Sequence, residues 1–278
     1  EGNFTAEFEP SDKLPKMVSF KCGTKVNVVP AAAEALFEGL DGDETEALAK
    51  SMEEELGITF TVSSEDGCLK IAASGENGHA STPWKGKNAL TGLLALIERL
   101  PLAECGQLKA VRALNHLMPH GDWFGAGLGI QMSDEESGEL TLAFSMLDIS
   151  EKSLEGEFDS RCPICATKEN TIDVIRKNME AEGISFNTEE LEPPHHVPAD
   201  SDFVKTLLSA YESYSGRKGE CIAIGGGTYV HHLKNGVAFG ACLPETENHM
   251  HGPDEFAVVD ELLMSAKIFA QVIVDLCS

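Results

Sequence analysis

A proline-rich connector limits how this chain can fold. Three of its seven residues are proline in the run Glu192-Pro193-Pro194-His195-His196-Val197-Pro198. Proline has no backbone N–H and disfavours the helical conformation in the residue before it, so this segment cannot continue a helix or a central strand. A chain of 278 residues is long enough for two domains. We therefore predict a boundary here, with domains at residues 1–192 and 193–278.

The first predicted domain alternates strand and helix patterns. Strand-like alternation or short apolar runs occur at 17–22, 58–62, 68–73, 125–132, 139–150, 155–161 and 184–187. Helical spacing or helix-end signals occur at 44–56, 90–100, 108–117 and 171–182, and the alanine-rich segment 31–40 after Pro30 predicts one more helix. This order indicates an α/β fold in which the first domain is α+β, resembling two open-faced α/β sandwich units in tandem.

The second predicted domain is short. Ser201 and Gly216 have the residue types of a helix N-cap and C-cap, and residues 221–224 and 237–242 read as short strands. Residues 260–276 form a helix that is apolar nearly all round, which predicts burial. The two strands look like the edge of a larger sheet whose remainder is not in this chain.

Charge and cysteine content exclude several classes of partner. The formal charge is −25, from 46 acidic and 21 basic residues, and it would repel nucleic acid and anionic membranes. Eight scattered cysteines in a chain of this size favour reduced thiols and a cytoplasmic location. Cys162 and Cys165 have the spacing of a redox or zinc motif, but no second pair accompanies them.

Four loop segments carry candidate chemistry. His79 lies between glycines before a Ser-Thr-Pro turn, which suits a ligand-facing loop, although a surface histidine beside a helix cap has the same pattern. Arg161 ends a strand and could grip a carboxylate or form a surface ion pair. The glycine-rich loop at 225–228 allows close backbone approach but lacks the lysine of a phosphate loop. His251 precedes the last helix with carboxylates nearby, which suits a metal ligand.

These segments, taken together and in order, resemble the M20 family of zinc peptidases, and within it dipeptidases of the PepV and carnosinase-like type. The matching motifs are Ser19-Phe20, Asn27-Val28-Val29-Pro30, Gly78-His79-Ala80-Ser81-Thr82-Pro83, Gly86-Lys87-Asn88-Ala89, Gly127-Leu128-Gly129-Ile130, Ser160-Arg161-Cys162-Pro163, Gly225-Gly226-Gly227-Thr228-Tyr229 and Met250-His251 through Glu255. The match runs nearly from end to end.

The resemblance implies a role for each of these segments. In this family two zinc ions polarise the peptide carbonyl and activate water. His79, from a lid domain at residues 1–192, would stabilise the oxyanion, and Arg161 and Asn27 would bind the terminal carboxylate of a dipeptide. Residues Gly226, Gly227 and Thr228 would line the substrate cleft. His251 would be a zinc ligand from the C-terminal β/α portion of the catalytic domain, residues 193–278.

The chain departs from the family pattern at its start. Family members begin with a catalytic segment that carries a His-x-Asp pair, a bridging Asp and a Glu-Glu pair. His120-Gly121-Asp122 has the first spacing, but it lies inside the lid resemblance and reads as a loop. One ligand cannot hold two zinc ions, so we expect this chain alone to bind zinc weakly or not at all and to be inactive without the missing N-terminal segment.

Other functions fit the same sequence. A non-catalytic binding or assembly module would use the lid as an interaction surface, and a split enzyme would receive its other half from a separate chain. Related family members remove acyl groups from N-acyl amino acids rather than cleaving dipeptides. An unpaired sheet edge in the second domain could also drive self-association.

Overall fold

The computed structural model describes residues 1–240, 242–246, 248 and 254–278. These residues form two compact units, Glu1–Pro194 and His195–Ser278.

The first unit is built on one eight-stranded sheet in which every neighbouring pair of strands is antiparallel. Its strands are β1 (Gly2–Glu7), β2 (Lys16–Cys22), β4 (Ala32–Glu38), β5 (Thr59–Glu65), β6 (Cys68–Ser74), β10 (Thr141–Ile149), β11 (Ser153–Arg161) and β12 (Ser185–Phe186). Their order across the sheet is β12-β1-β11-β10-β2-β4-β6-β5. Two short pairs lie outside it: β3 (Val28–Val29) with β7 (Gly78–His79), and β8 (Ser133–Asp134) with β9 (Gly138–Glu139).

Four α-helices complete the first unit: α1 (Gly42–Leu56), α2 (Ala89–Arg99), α3 (Gly106–Leu117) and α4 (Ile172–Ala181), with a short 3-10 helix at Pro83–Lys85. Asp41 caps α1 by accepting a hydrogen bond from the Glu44 amide, and Gly57 ends it in the left-handed conformation. Helix α2 is nearly completely buried and contacts β4, β6 and β10. The core therefore lies beneath α2.

The predicted α/β class is confirmed. The two sandwich units predicted within the first domain share one continuous sheet, whose two halves are β12-β1-β11-β10 and β2-β4-β6-β5. They join where Leu147, Asp148 and Ile149 of β10 pair with β2. Because α2 contacts strands from both halves, it packs across this junction.

The predicted helix at 31–40 is wrong. This segment forms strand β4, Ala32–Glu38, hydrogen-bonded to β2 on one side and β6 on the other. Alanine favours a helix locally, but Ala33, Ala35 and Phe37 are buried while the residues between them face outward. This period of two fits a strand, and the partners on both sides outweigh the helical preference of the alanines.

Two further differences concern strands of the first unit. Residues 2–7 had no predicted structure but form β1, in which Phe4 and Ala6 alternate with exposed residues. Residues 125–132 are not a strand, because Gly125 and Gly129 adopt positive φ angles and turn the chain. The hairpin that contains β10 is formed with β11, which follows it in the chain.

The second unit contains α5 (Asp202–Ser215) and α6 (Val259–Cys277). Ser201 and Gly216 cap α5 as predicted. The strands predicted at 221–224 and 237–242 are wrong as far as those residues are described, because all of them lie outside regular structure. The side chains Leu207 and Ala210 of α5 pack with Ile268 and Val272 of α6 in a small core of their own.

Helix α6 is less buried than the sequence predicts. Ser265, Ile268 and Val272 are buried, whereas seven large apolar residues are exposed: Val259, Leu262, Leu263, Phe269, Ile273, Val274 and Leu276. With no sheet strands among the described residues of this unit, α5 covers one stripe of the helix. In the part of the chain that the structure describes, no helix combines the length and the apolar character needed to cross a membrane.

Gly92 provides a test of the packing beneath α2. A Cβ at this position would lie 2.6 Å from Ile58 Cγ1, whereas a Cβ at Gly42, the first residue of α1, would meet Leu69 Cδ1 at an ordinary 3.6 Å. We expect Gly92→Ala to lower the free energy of unfolding by about 1–3 kcal/mol through overpacking. Gly42→Ala should be neutral or slightly stabilising.

Urea unfolding followed by circular dichroism measures both changes. The double variant Gly92→Ala/Ile58→Ala should lose less stability than the sum of its single variants, because the second change removes the clash. Stabilisation of about 1 kcal/mol by Gly92→Ala, the usual result for a helical glycine, would contradict the packing described.

Candidate active site

A two-stranded ladder positions His79 beside Asn27. Val28 of β3 pairs with His79 of β7, and Val29 pairs with Gly78. The next hydrogen bond continues the ladder, because the amide of Ala80 donates to the Asn27 carbonyl at 3.0 Å. Asn27 and His79 are both exposed at the end of this ladder. The ladder thus places Asn27 directly before the strand partner of His79, although Asn27 and His79 are 52 positions apart in sequence.

The turn after His79 selects the tautomer of its imidazole ring. The backbone amide of Ser81 donates to Nδ1 at 3.1 Å, and the Ser81 hydroxyl lies 2.7 Å from the same atom. An amide N–H can only donate, so Nδ1 acts as the acceptor and carries no proton. The neutral ring therefore carries its proton on Nε2. Among the described residues Nε2 has no hydrogen-bond partner, so it is available as a donor.

Arg161, the last residue of β11, is oriented by a buried carboxylate. Its Nε and Nη2 atoms donate to the two carboxylate oxygens of Asp159, each at 2.6 Å. Asp159 is 2% exposed, whereas about a quarter of the Arg161 side chain remains exposed. The guanidinium group retains its Nη1–Nη2 edge for a second acceptor.

Strand β10 connects Arg161 to the His79 loop. Thr141, the first residue of β10, is the register partner of Arg161. The Thr141 hydroxyl donates to the carbonyl of Ala80 at 3.5 Å, and Ala80 follows His79 directly. Ala80 is fully buried and packs with Val29 and Ala143. The structure thus brings His79, Asn27 and Arg161 to one end of β10, although each comes from a different loop or strand.

The predicted substrate-binding residues of the second unit lie on an open loop. Gly226 and Gly227 are exposed, and a Cβ on either would meet no atom within 4 Å. Thr228 is half-buried and accepts a hydrogen bond from the His231 amide at 3.1 Å. Their role as substrate-binding residues stays a prediction.

The predicted metal ligand, His251, lies outside the described residues. Within residues 1–240, 242–246, 248 and 254–278, no group of three or more His, Cys, Asp or Glu side chains is arranged to hold a metal ion. The described residues therefore do not by themselves fit the two-zinc centre that the resemblance implies. Cys162 and Cys165 are free thiols, and burial raises the pKa of Cys162.

His120 and Asp122 lie in a loop, as predicted. His120 Nε2 donates to the Leu56 carbonyl at 2.9 Å, and Nδ1 lies 2.8 Å from the Thr91 hydroxyl. The Asp122 carboxylate accepts hydrogen bonds from the backbone amides of Phe124, Ala126 and Gly127. Both side chains hold the loop together rather than presenting a pair of ligands.

Sequence reasoning missed the residues that orient the candidate site. Asp159 and Arg161 are two positions apart on one strand, so their side chains share a face, and this spacing is a readable signal for the pair. Ser81 belongs to a recognised motif, but its contact with the His79 ring depends on the conformation of the turn. The Thr141 contact is long-range and has no signal in the sequence.

The chain belongs to peptidase family M20/M25/M40, whose family model matches residues 13–275. It is similar to the putative dipeptidase YtjP of Bacillus subtilis (strain 168), with 36% identity over 96% of this chain and 57% of that protein. It is also similar to the Beta-Ala-Xaa dipeptidase of Lactobacillus delbrueckii subsp. lactis, with 31% identity over 99% of this chain and 59% of that protein. The chain thus spans less than two thirds of the length of these relatives.

A solved structure, the aminoacylhistidine dipeptidase from Vibrio alginolyticus, aligns with 98% of this chain and 60% of its own chain. The identity is 14% and the TM-score is 0.49.

The Asp159–Arg161 pair should contribute more to stability than a surface pair of similar geometry. We expect Arg161→Met to lower the free energy of unfolding by about 2–3 kcal/mol, because it leaves a buried carboxylate without its partner. The control is Arg112→Met, which removes an exposed arginine bound to both carboxylate oxygens of Glu104. That change should cost less than about 1 kcal/mol.

Chemical denaturation of the two variants and of Asp159→Asn/Arg161→Met provides the comparison. The double variant should recover part of the lost stability, since it removes the unpaired charge. Equal effects of Arg161→Met and Arg112→Met would show that Asp159 does not hold Arg161 as described.

Proposed function

We propose that this chain is part of a metal-dependent dipeptidase that hydrolyses dipeptides with a free C-terminal carboxylate. Membership of the M20 family and the two dipeptidase relatives support the reaction class. The observation that carries the proposal is the His79 ring, held by Ser81 so that an Nε2–H donor is unpartnered among the described residues.

His79 has the chemistry needed to stabilise an oxyanion. When a peptide carbonyl is attacked, its oxygen gains negative charge, and a donor held in advance stabilises that charge more than it stabilises the neutral carbonyl. The β3–β7 ladder and the Ser81 contacts fix the ring before substrate binds. His79 therefore serves as the proposed oxyanion donor.

Arg161 and Asn27 are the proposed binding residues for the substrate carboxylate. The Asp159 contact leaves one edge of the Arg161 guanidinium for a two-point interaction with a carboxylate. Asn27 is exposed beside the His79 ladder and has an amide N–H₂ group to donate. Both lie near the proposed oxyanion donor, as a short substrate requires.

The contribution of the second unit is also part of the proposal. Gly226, Gly227 and Thr228 would line the substrate site with backbone and hydroxyl groups, and His251 would be a metal ligand. Zinc dependence is the norm in this family. Because the described residues hold no metal-binding set, the roles proposed from described geometry are limited to carboxylate binding and oxyanion stabilisation.

The remaining partners and the location follow from the same proposal. We propose that residues 1–192 cap the substrate and that further catalytic residues complete the metal centre. We also propose that the dipeptidase is cytoplasmic. Self-association stays a prediction from the sequence.

Hydrolysis by the protein at its natural length, loaded with zinc, tests the proposal. His79→Ala should lower kcat by about 10²–10³-fold with a smaller change in KM, because the lost interaction forms mainly in the transition state. His116→Ala is the matched control, since its side chain on α3 is largely exposed. Asn27→Ala should mainly raise KM.

Assays with a dipeptide and with an N-acetyl amino acid, run in parallel, distinguish dipeptidase from deacylase activity. Unchanged turnover in His79→Ala would remove the proposed oxyanion donor. Absence of hydrolysis of either substrate by the zinc-loaded protein would overturn the proposed function.

A further inference from the structure

The first unit contains a cleft of about 490 Å³ that the proposed function does not use. Its walls come from the end of α1, the Pro83–Lys85 helix, the loop at 118–123 and the start of β10. Asn27, His79 and Arg161 do not line it. The volume is that of a small-molecule site.

Two tryptophan side chains form an aromatic surface in the cleft. Trp84 and Trp123 both line it, and they are 44% and 37% exposed. The Trp84 ring is also supported by Phe124, with ring centroids 6.1 Å apart. Exposed tryptophan faces attract organic cations, which bind within about 6 Å of the ring. These are the two tryptophans of the chain.

The charges around the cleft favour a cation. Glu54 and Glu55, on the last turn of α1, line the cleft, and neither carboxylate has an ion-pair or hydrogen-bond partner among the described residues. The cation on the wall, Lys87, is paired with Glu76 at 2.5 Å. Asp122 adds a further negative charge.

His120, the histidine that lines the cleft, does not offset the negative charge of these carboxylates. Burial lowers the pKa of His120, although its hydrogen bond to the Leu56 carbonyl acts in the other direction. The ring donates through Nε2 and accepts at Nδ1 from Thr91, so both nitrogens are satisfied in the neutral form.

We propose that this cleft binds a small organic cation with an ammonium or guanidinium group, held between Trp84, Trp123 and the carboxylates of Glu54 and Glu55. The site goes beyond the proposed hydrolysis, because it includes none of the residues assigned to the substrate. Binding at this site requires no metal.

Tryptophan fluorescence tests the proposal, because both fluorophores of the chain line the cleft. The chain is titrated with agmatine and with tetramethylammonium chloride, and sodium chloride at equal ionic strength is the reference. We expect a saturable change in emission with each organic cation, and no saturable change with sodium chloride.

Charge-matched double variants identify the site. Glu54→Gln/Glu55→Gln should weaken binding about tenfold or more, because it removes the two nearest unpaired charges. Glu44→Gln/Glu46→Gln removes two exposed carboxylates from the same helix outside the cleft and should leave the binding constant unchanged. Circular dichroism confirms that both variants are folded.

A second variant tests the aromatic part of the site and leaves its charge unchanged. Trp123→Leu should weaken tetramethylammonium binding while Trp84 still reports it, since it removes one aromatic face. A response that does not saturate, or equal binding by the wild type and Glu54→Gln/Glu55→Gln, would overturn the proposal. Neither result would affect the proposed role of His79.

Discussion

The partial pairing of β10 with β2 is the constraint on which the candidate site depends. β10 pairs with β11 along its length, but its pairs with β2 are those of Leu147, Asp148 and Ile149. Before these residues the two strands separate. Gly23, directly after β2, has a φ of +87°, and a Cβ there would lie 2.1 Å from the Ser145 carbonyl oxygen. A glycine is therefore required where the strands diverge.

The first part of β10 instead forms hydrogen bonds with neighbouring loops. The Thr141 hydroxyl donates to the Ala80 carbonyl, the Leu142 amide donates to the Trp123 carbonyl at 2.8 Å, and the Asn88 side chain donates to the Phe144 carbonyl at 2.8 Å. These contacts place the His79 loop next to Arg161 on one side. They also place the walls of the cation cleft on the same stretch of strand, so the two sites share a structural support without sharing functional residues.

Much of the first unit can be predicted from local sequence signals. Helix α1 has a capping aspartate and a terminal glycine, and α2 has leucines at helical spacing; the structure confirms both helices. The loop character of His120-Gly121-Asp122 was also predictable. β4 was not, because its alanines favour a helix and its strand conformation depends on β2 and β6.

The candidate site was likewise predictable from the sequence only in part. His79, Asn27 and Arg161 were identifiable as ordered motifs, but their proximity depends on β10, which is distant from His79 in sequence. The spacing of Asp159 and Arg161 on one strand indicates that their side chains share a face, but the burial of Asp159 and the tautomer of His79 depend on packing and turn conformation that residue order does not encode. The predicted strands at 221–224 and 237–242 rested on short apolar runs, which form strands when neighbouring strands are present to pair with them.

The tautomer of His79 is the most direct test of the proposed site, because it determines whether Nε2 carries the proton that would be donated to substrate. It can be measured in the purified chain, labelled with ¹⁵N-histidine, from two-bond nitrogen–proton correlations at about pH 8, where histidine is normally neutral. The His79→Gln spectrum assigns the signal. We predict a proton on Nε2 and an acceptor-type shift for Nδ1. A proton on Nδ1, or exchange between the two tautomers in comparable amounts, would contradict this prediction.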